Sequence, residues 1–427
     1  MIDIKARERW QAYLDELKGR GIPTSYSEVI STDVPDDQNA AVLWNRAVAE
    51  PWMFPKEGRV LSAKELSDLD RCGLLVPATP EFRAAILSEL DANSGFIEML
   101  RRIAACPYFA YTPKRFVQAK SLDDIIDLRP SLPGQPSTPS RETPSGTQRY
   151  KFLSKAAAIL AYEGYTEKAI DLLEVCLASS RHLVESPCTL IVIISGTVTR
   201  GNLARALADV LKTADIDLPQ SQSLIDQLDP IQMRDGFRQT MEVERTSNAD
   251  SCGEILRVGQ YPRNLLVKRP PWGEVWDRIQ FAVTKLAYVN GMIEHQEKLL
   301  LFCNSLEGPT SSWREYAGNC VDEGGFGSIV EVQLSLEFRY QILRLGVACK
   351  SYRKEHGAWP DDLKALVPDY FAALPLDPFT ERPFDYQIVG EAVRISGPKP
   401  DPEKDGVSFR DCCREGTEPQ EFVPGPN

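Results

Sequence analysis

Histidine is scarce in this chain, with three residues in 427, at His182, His295 and His356. None forms an H-E-x-x-H or E-x-x-H helical pair, so helix-borne zinc or di-iron sites of those kinds lack their ligands. Little scope remains for histidine acid–base catalysis. The ten cysteines contain no C-x-x-C pair, which argues against structural zinc. They run from Cys72 to Cys413, with Cys412-Cys413 the one adjacent pair. Free buried thiols in a reducing compartment are the expectation, and the even count leaves disulfides open.

Long apolar runs are missing too. The longest, Cys188 to Val198, is well short of the ~20 residues that span a bilayer, and it predicts a buried core segment. Met1 to Glu8 has no apolar core, so no signal peptide is expected in the chain as given. Nor is there a basic block. Lysine and arginine number 49 against 61 acidic residues, for a formal charge of −12 and a pI of about 5.0. Nucleic-acid binding depends on neutralising phosphates, so this balance argues against it, and against docking on an anionic membrane.

What is present is ordinary globular composition, 43% hydrophobic and 26% charged, on a chain long enough for two or three domains. Trp10, Tyr13, Leu14 and Leu17 recur at helical spacing and are followed by Gly19 and Gly21. Ala40, Leu43, Trp44, Ala47 and Val48 mark a second helix. Thr79-Pro80-Glu81 opens a third, a hydroxyl N-cap and then proline at the first helical position. Its apolar face is predicted to run unbroken through Phe82, Ile86, Leu90, Ile97 and Leu100. Arg129 to Thr147 is rich in proline, serine and glycine and has almost nothing to bury, so it reads as a linker or loop.

Tyr150 to Ser186 carries the clearest local pattern. Leu153, Ala156, Ala157 and Leu160 form one stripe, Gly164 interrupts, and Ala169, Leu172, Leu173, Cys176 and Leu177 form the next. The spacing predicts two antiparallel helices about a glycine turn. The segment resembles a single tetratricopeptide-type repeat. No second copy follows at the repeat period, so simple helix packing, without a solenoid or its groove, is the plainer expectation.

Helices are predicted over Gly201–Thr213 and Gln222–Asp229, and Asp235–Arg269 reads as less regular. Trp276, Ile279, Val283, Leu286 and Asn290 resume helical spacing. After Gly324-Gly325-Phe326-Gly327 comes a long helix, about Val332 to His356, with two apolar stripes. One is Val332, Leu336, Tyr340, Leu343 and Val347; the other is Leu334, Phe338, Ile342, Leu345, Cys349 and Tyr352. A helix apolar on opposite sides must be covered twice, so this one is predicted to lie between the helical body and a C-terminal unit. That unit is a short helix from Trp359 to Val367, a turn at Leu374–Phe379, and strands Phe384–Val389 and Ala392–Ile395 about Gly390-Glu391.

Tyr352-Arg353, His356-Gly357, Trp359-Pro360, Leu374-Pro375, Asp377-Pro378-Phe379 and Tyr386 together resemble the soluble part of bacterial type II secretion pseudopilins. The resemblance covers about Leu336 to Gly406 and implies a long helix, a turn and a small antiparallel sheet. The leader and apolar membrane helix of pseudopilins are not found, so it implies a fold for this segment and not filament assembly. The overall layout is similar to a group of bacterial proteins, many with an N-terminal membrane anchor.

The remaining chemical signals are weak. His182, beside Arg181 at a predicted helix end, reads as a cation on terminal carbonyls, and His356 as a cap before Gly357. Ser195-Gly196-Thr197 lacks the leading glycine of a nucleophile elbow and reads as an interruption between apolar segments. Gly325-Phe326-Gly327 has no phosphate-loop context. Asp361-Asp362 is expected in a first helical turn. Asp401-x-Glu403-x-Asp405-Gly406 looks like half of a calcium loop, but Cys412 stands where the closing carboxylate would be, so a solvated acidic loop is expected.

The sequence therefore predicts a mostly α protein, a multi-helical body with a small C-terminal α+β unit. Its regions are 1–128 (helical), 129–147 (linker), 148–330 (helical body), 331–410 (pseudopilin-like) and 411–427 (tail). No catalytic, cofactor-binding or metal-binding residue is assigned. The leading expectation is a non-enzymatic interaction or scaffold protein with a protein partner. The alternative is a hydrolase-like enzyme whose site is assembled from distant carboxylates. Its location is cytoplasmic by default, with an envelope-associated setting implied by the resemblances.

Overall fold

Ser145 starts the central hairpin. Its hydroxyl accepts the Gln148 amide N–H, and the Gln148 side chain accepts the Ser145 N–H, a reciprocal cap that satisfies two orphan donors. The computed structural model describes residues 2–29, 34–53, 79–110, 145–186, 190–214, 216–258, 272–306, 326–390 and 392–398. Residues 129–144 of the expected linker, the Asp401–Gly406 loop and Cys412-Cys413 lie outside them.

Helices α1 (Ile2–Gly19), α2 (Tyr26–Val29), α3 (Ala40–Ala49), α4 (Pro80–Ala92) and α5 (Ser94–Ala105) come first. The hairpin is α6 (Gly146–Tyr162) and α7 (Thr166–Ser180), joined by the short turn that Gly164 permits with φ of +84°. Buried Ala156, Ala157 and Ala169 let the two axes approach closely. Next come α8 (His182–Glu185), α9 (Leu190–Thr213), α10 (Leu218–Asp226), α11 (Pro230–Val258), α12 (Trp272–Ser305) and α13 (Phe326–His356). A single 3-10 turn (Leu363–Leu366) precedes β1 (Asp385–Val389) and β2 (Ala392–Ser396), which pair antiparallel with Tyr386 opposite Ile395. The protein is mostly helical with a small antiparallel sheet near its C-terminus. Among the described residues, no helix is long and apolar enough to cross a membrane.

Several expectations change. The helix predicted to run unbroken from Pro80 is two, α4 and α5, divided at Asn93. That side chain accepts the Met53 N–H and donates to the carbonyls of Met53 and Glu89, so bonds to a segment 40 residues away accompany the break in the helix. Asp235 to Val258, read as irregular, belongs to the continuous α11. Met233, Phe237 and Met241 enter the main core, whereas Ala249, Cys252 and Leu256 enter a second core with Trp10, Tyr13 and Leu17 of α1. A helix that serves two cores shows no single strong stripe. The helix expected at Gln222–Asp229 begins earlier, at Leu218, because Asp217 caps it and Pro219 suits its first turn. Ser195-Gly196-Thr197 does not interrupt α9, and the Thr197 hydroxyl donates to the Ile193 carbonyl one turn back. Phe326 and Gly327 start α13 rather than preceding it. Only the 3-10 turn forms in the region of the short helix expected after Trp359, and Asp362 caps it.

The two-stripe helix is covered on both sides. Arg339 and Lys350 of α13 reach carbonyls of α9, and Leu343 is buried in the main core. On the other flank Phe338 meets Phe379 and Phe384, and Tyr352 faces Tyr370. Gly397, after β2, passes so close to Phe338 that a side chain there would collide with its ring.

Leu343→Ala and Phe338→Ala should therefore each reduce unfolding free energy, by about 2–5 kcal/mol, with the half-buried phenylalanine at the lower end. Urea denaturation at two protein concentrations checks this. A loss that varied with concentration would assign one stripe to a partner subunit.

Candidate functional site

Buried helix ends dominate the interior chemistry. The last carbonyls of a helix have no internal donor, and each one buried unsatisfied costs about 1–3 kcal/mol. Arg149 of α6, 1% exposed, donates to the carbonyls of Ala47 (2.7 Å), Val48 (3.0 Å) and Glu50 (2.7 Å) at the end of α3. Its guanidinium also lies over the Phe96 ring at 5.0 Å and the Trp52 ring at 5.3 Å. Burial lowers its pKa to about 10, which leaves it charged at neutral pH.

The end of α5 is met twice. Arg181 donates to the Ala104 carbonyl at 3.3 Å, and His182 Nε2 donates to that of Ile103 at 3.0 Å. His182 is not the cation expected from sequence. It is buried, stacked on Phe109, and its pKa falls to about 4 through desolvation and the neighbouring Arg181 charge, so it is neutral. His356 does sit at the end of α13, its Nδ1 donating to the Tyr352 carbonyl at 3.0 Å before Gly357 at φ +75°.

The short α8 is held from two sides. Gly196 of α9 and Gly236 of α11 press on the Leu183–Glu185 backbone, and a Cβ on Gly236 would overlap the Val184 carbonyl. This clamp fixes Arg181 and Glu185 at the rim of a groove of about 620 Å³. Leu177, Ala178 and Arg181 of the α7 end and Glu185 of α8 make one wall. The other is a face of α10, with Pro219, Gln222, Ser223 and Asp226 at helical spacing and Gln227 beyond. Gln222 Nε2 donates to Asp226 Oδ1 at 2.6 Å, which orients that carboxylate.

Arg200 of α9 lies behind this wall, fully buried. Its Nη1 donates to the Leu177 carbonyl at 3.4 Å and the Ser180 hydroxyl at 3.5 Å, while Nε and Nη2 have no hydrogen-bond partner among the described residues. Desolvation lowers its pKa to about 10, and Glu185 and Asp229 are the carboxylates whose fields oppose that shift.

No family model, curated protein or solved structure matches this chain. The groove is thus read from its own residues.

Sequence reasoning singled out none of the groove residues as a site. The available signal was the polar spacing Gln222, Ser223, Asp226, Gln227 opposite buried Leu224 and Ile225. Among the described residues no group of His, Cys, Asp and Glu could hold a metal ion. The described cysteines Cys106, Cys176, Cys252, Cys303 and Cys349 are free and buried, and desolvation raises each thiol pKa, so little reactive thiolate forms. Among the described residues, the carboxylates pushed upward by burial, Asp209 and Glu337, do not line the groove. Lys212 and Arg234 hold them, the latter pair at 2.5 Å.

Gly236→Ala should destabilise the protein by about 1–3 kcal/mol, since backbone must move to admit the methyl group. A thermal melt unchanged within about 1 °C would show that α8 is not clamped.

A second expectation concerns pH. The folded pKa of His182, about 4, lies below the unfolded value of about 6.5, so the unfolded chain binds the extra proton between them. Its contribution is whole above pH ~6.5 and is lost as pH falls toward 4, on the order of 3 kcal/mol in all. His182→Gln should flatten the fall in stability between about pH 7 and 5. Parallel wild-type and variant curves would mean that the ring is charged in the fold.

Proposed function

We propose that the protein is a non-enzymatic interaction or scaffold protein and that a protein partner docks in the groove between α7, α8 and α10. The observation that carries this reading is the groove itself. It is open and offers charged and amide side chains from three helices, the polar kind of group that orients a protein partner. The hydrolase alternative would need a poised carboxylate acid or base in such a cleft. Among the described residues, the carboxylates raised by burial, Asp209 and Glu337, lie elsewhere and pair with Lys212 and Arg234, which favours binding. The acidic balance of the chain favours a protein partner over nucleic acid.

The C-terminal unit serves in this reading as a rigid end-piece. Its order of long helix, Asp377 turn and antiparallel hairpin is compatible with the pseudopilin resemblance and with an envelope-associated setting. The α6–α7 hairpin supplies one groove wall, as the single tetratricopeptide-type unit it resembles.

A photo-crosslinking amino acid at Gln222 should give discrete adducts in the native host's lysate. The same group at exposed Gln11 of α1 should not, and Arg181→Glu combined with Asp226→Arg should reduce the Gln222 adducts about tenfold. Identical adducts from both positions would remove the groove as the docking site.

A further inference from the structure

We draw no further inference here: the strongest candidate, the wholly buried Arg200 guanidinium behind the α7–α8 wall of the groove, has Nε and Nη2 without a hydrogen-bond partner among the described residues, but it does not itself line the groove and nothing in the structure shows what would meet those donors.

Discussion

Among the described residues, the ends of four helices are each met by a donor from a later element. The carbonyls at the end of α3 are taken by Arg149 of α6, and those of α5 by Arg181 and His182. Arg200 of α9 serves α7, while Lys350 of α13 reaches Leu211 and Ala214 at the end of α9, each at 3.2 Å. A buried helix terminus presents unsatisfied carbonyls and the negative end of the helix dipole, and a cation answers both at once. Charge-assisted bonds contribute about 1.5–3 kcal/mol, against about 1 kcal/mol for neutral ones. That margin offsets part of the cost of burying a guanidinium, which here remains protonated. The arrangement links α3, α5, α7 and α9 each to an element further along the chain.

The groove is a by-product of the same constraint. Arg181 bonds the end of α5 and lines the groove with Glu185 and Asp226, while Arg200 gives one nitrogen to the end of α7. Gly196 and Gly236 set how near α9 and α11 approach α8, and so where Glu185 stands. A methyl group at either glycine would move the wall and Glu185 with it. Packing and the position of the wall are coupled at this point, through backbone at Gly236 and through backbone and side chains at Gly196.

Two cores share the long helices. α11 and α12 each contribute to both cores: Phe237 and Phe302 meet edge-to-face in the larger, while Cys252 and Val289 lie in the smaller with α1. α13 connects the larger core to the C-terminal unit through its second apolar flank. The Arg234–Glu337 pair, buried on the glutamate side, ties α11 to α13 between these regions. Desolvation raises the Glu337 pKa, with Arg234 opposing the shift, so loss of the arginine would leave a buried carboxylate without its partner.

Much of the helical layout was legible in the sequence because helix period and glycine turns are local properties. The α6–α7 hairpin, the buried stripes of α3 and α13, and the terminal β-hairpin follow from residues within one or two turns of each other. Local patterns misled where a distant partner decided the outcome: Asn93 broke a helix because Met53 lay beside it, and α11 hid its period by serving two cores. The groove was illegible for the same reason. Leu177, Glu185 and Asp226 have no periodic relation along the chain, and His182 looked like a charged cap until burial made it neutral. Composition and periodicity by themselves determined a mostly helical, acidic protein with a small C-terminal sheet. Only the tertiary structure decided which cations were consumed on helix ends and which carboxylates were left facing solvent. Burial and long-range contact set the charge state and partners of a side chain, and neither is a property of its neighbours in sequence.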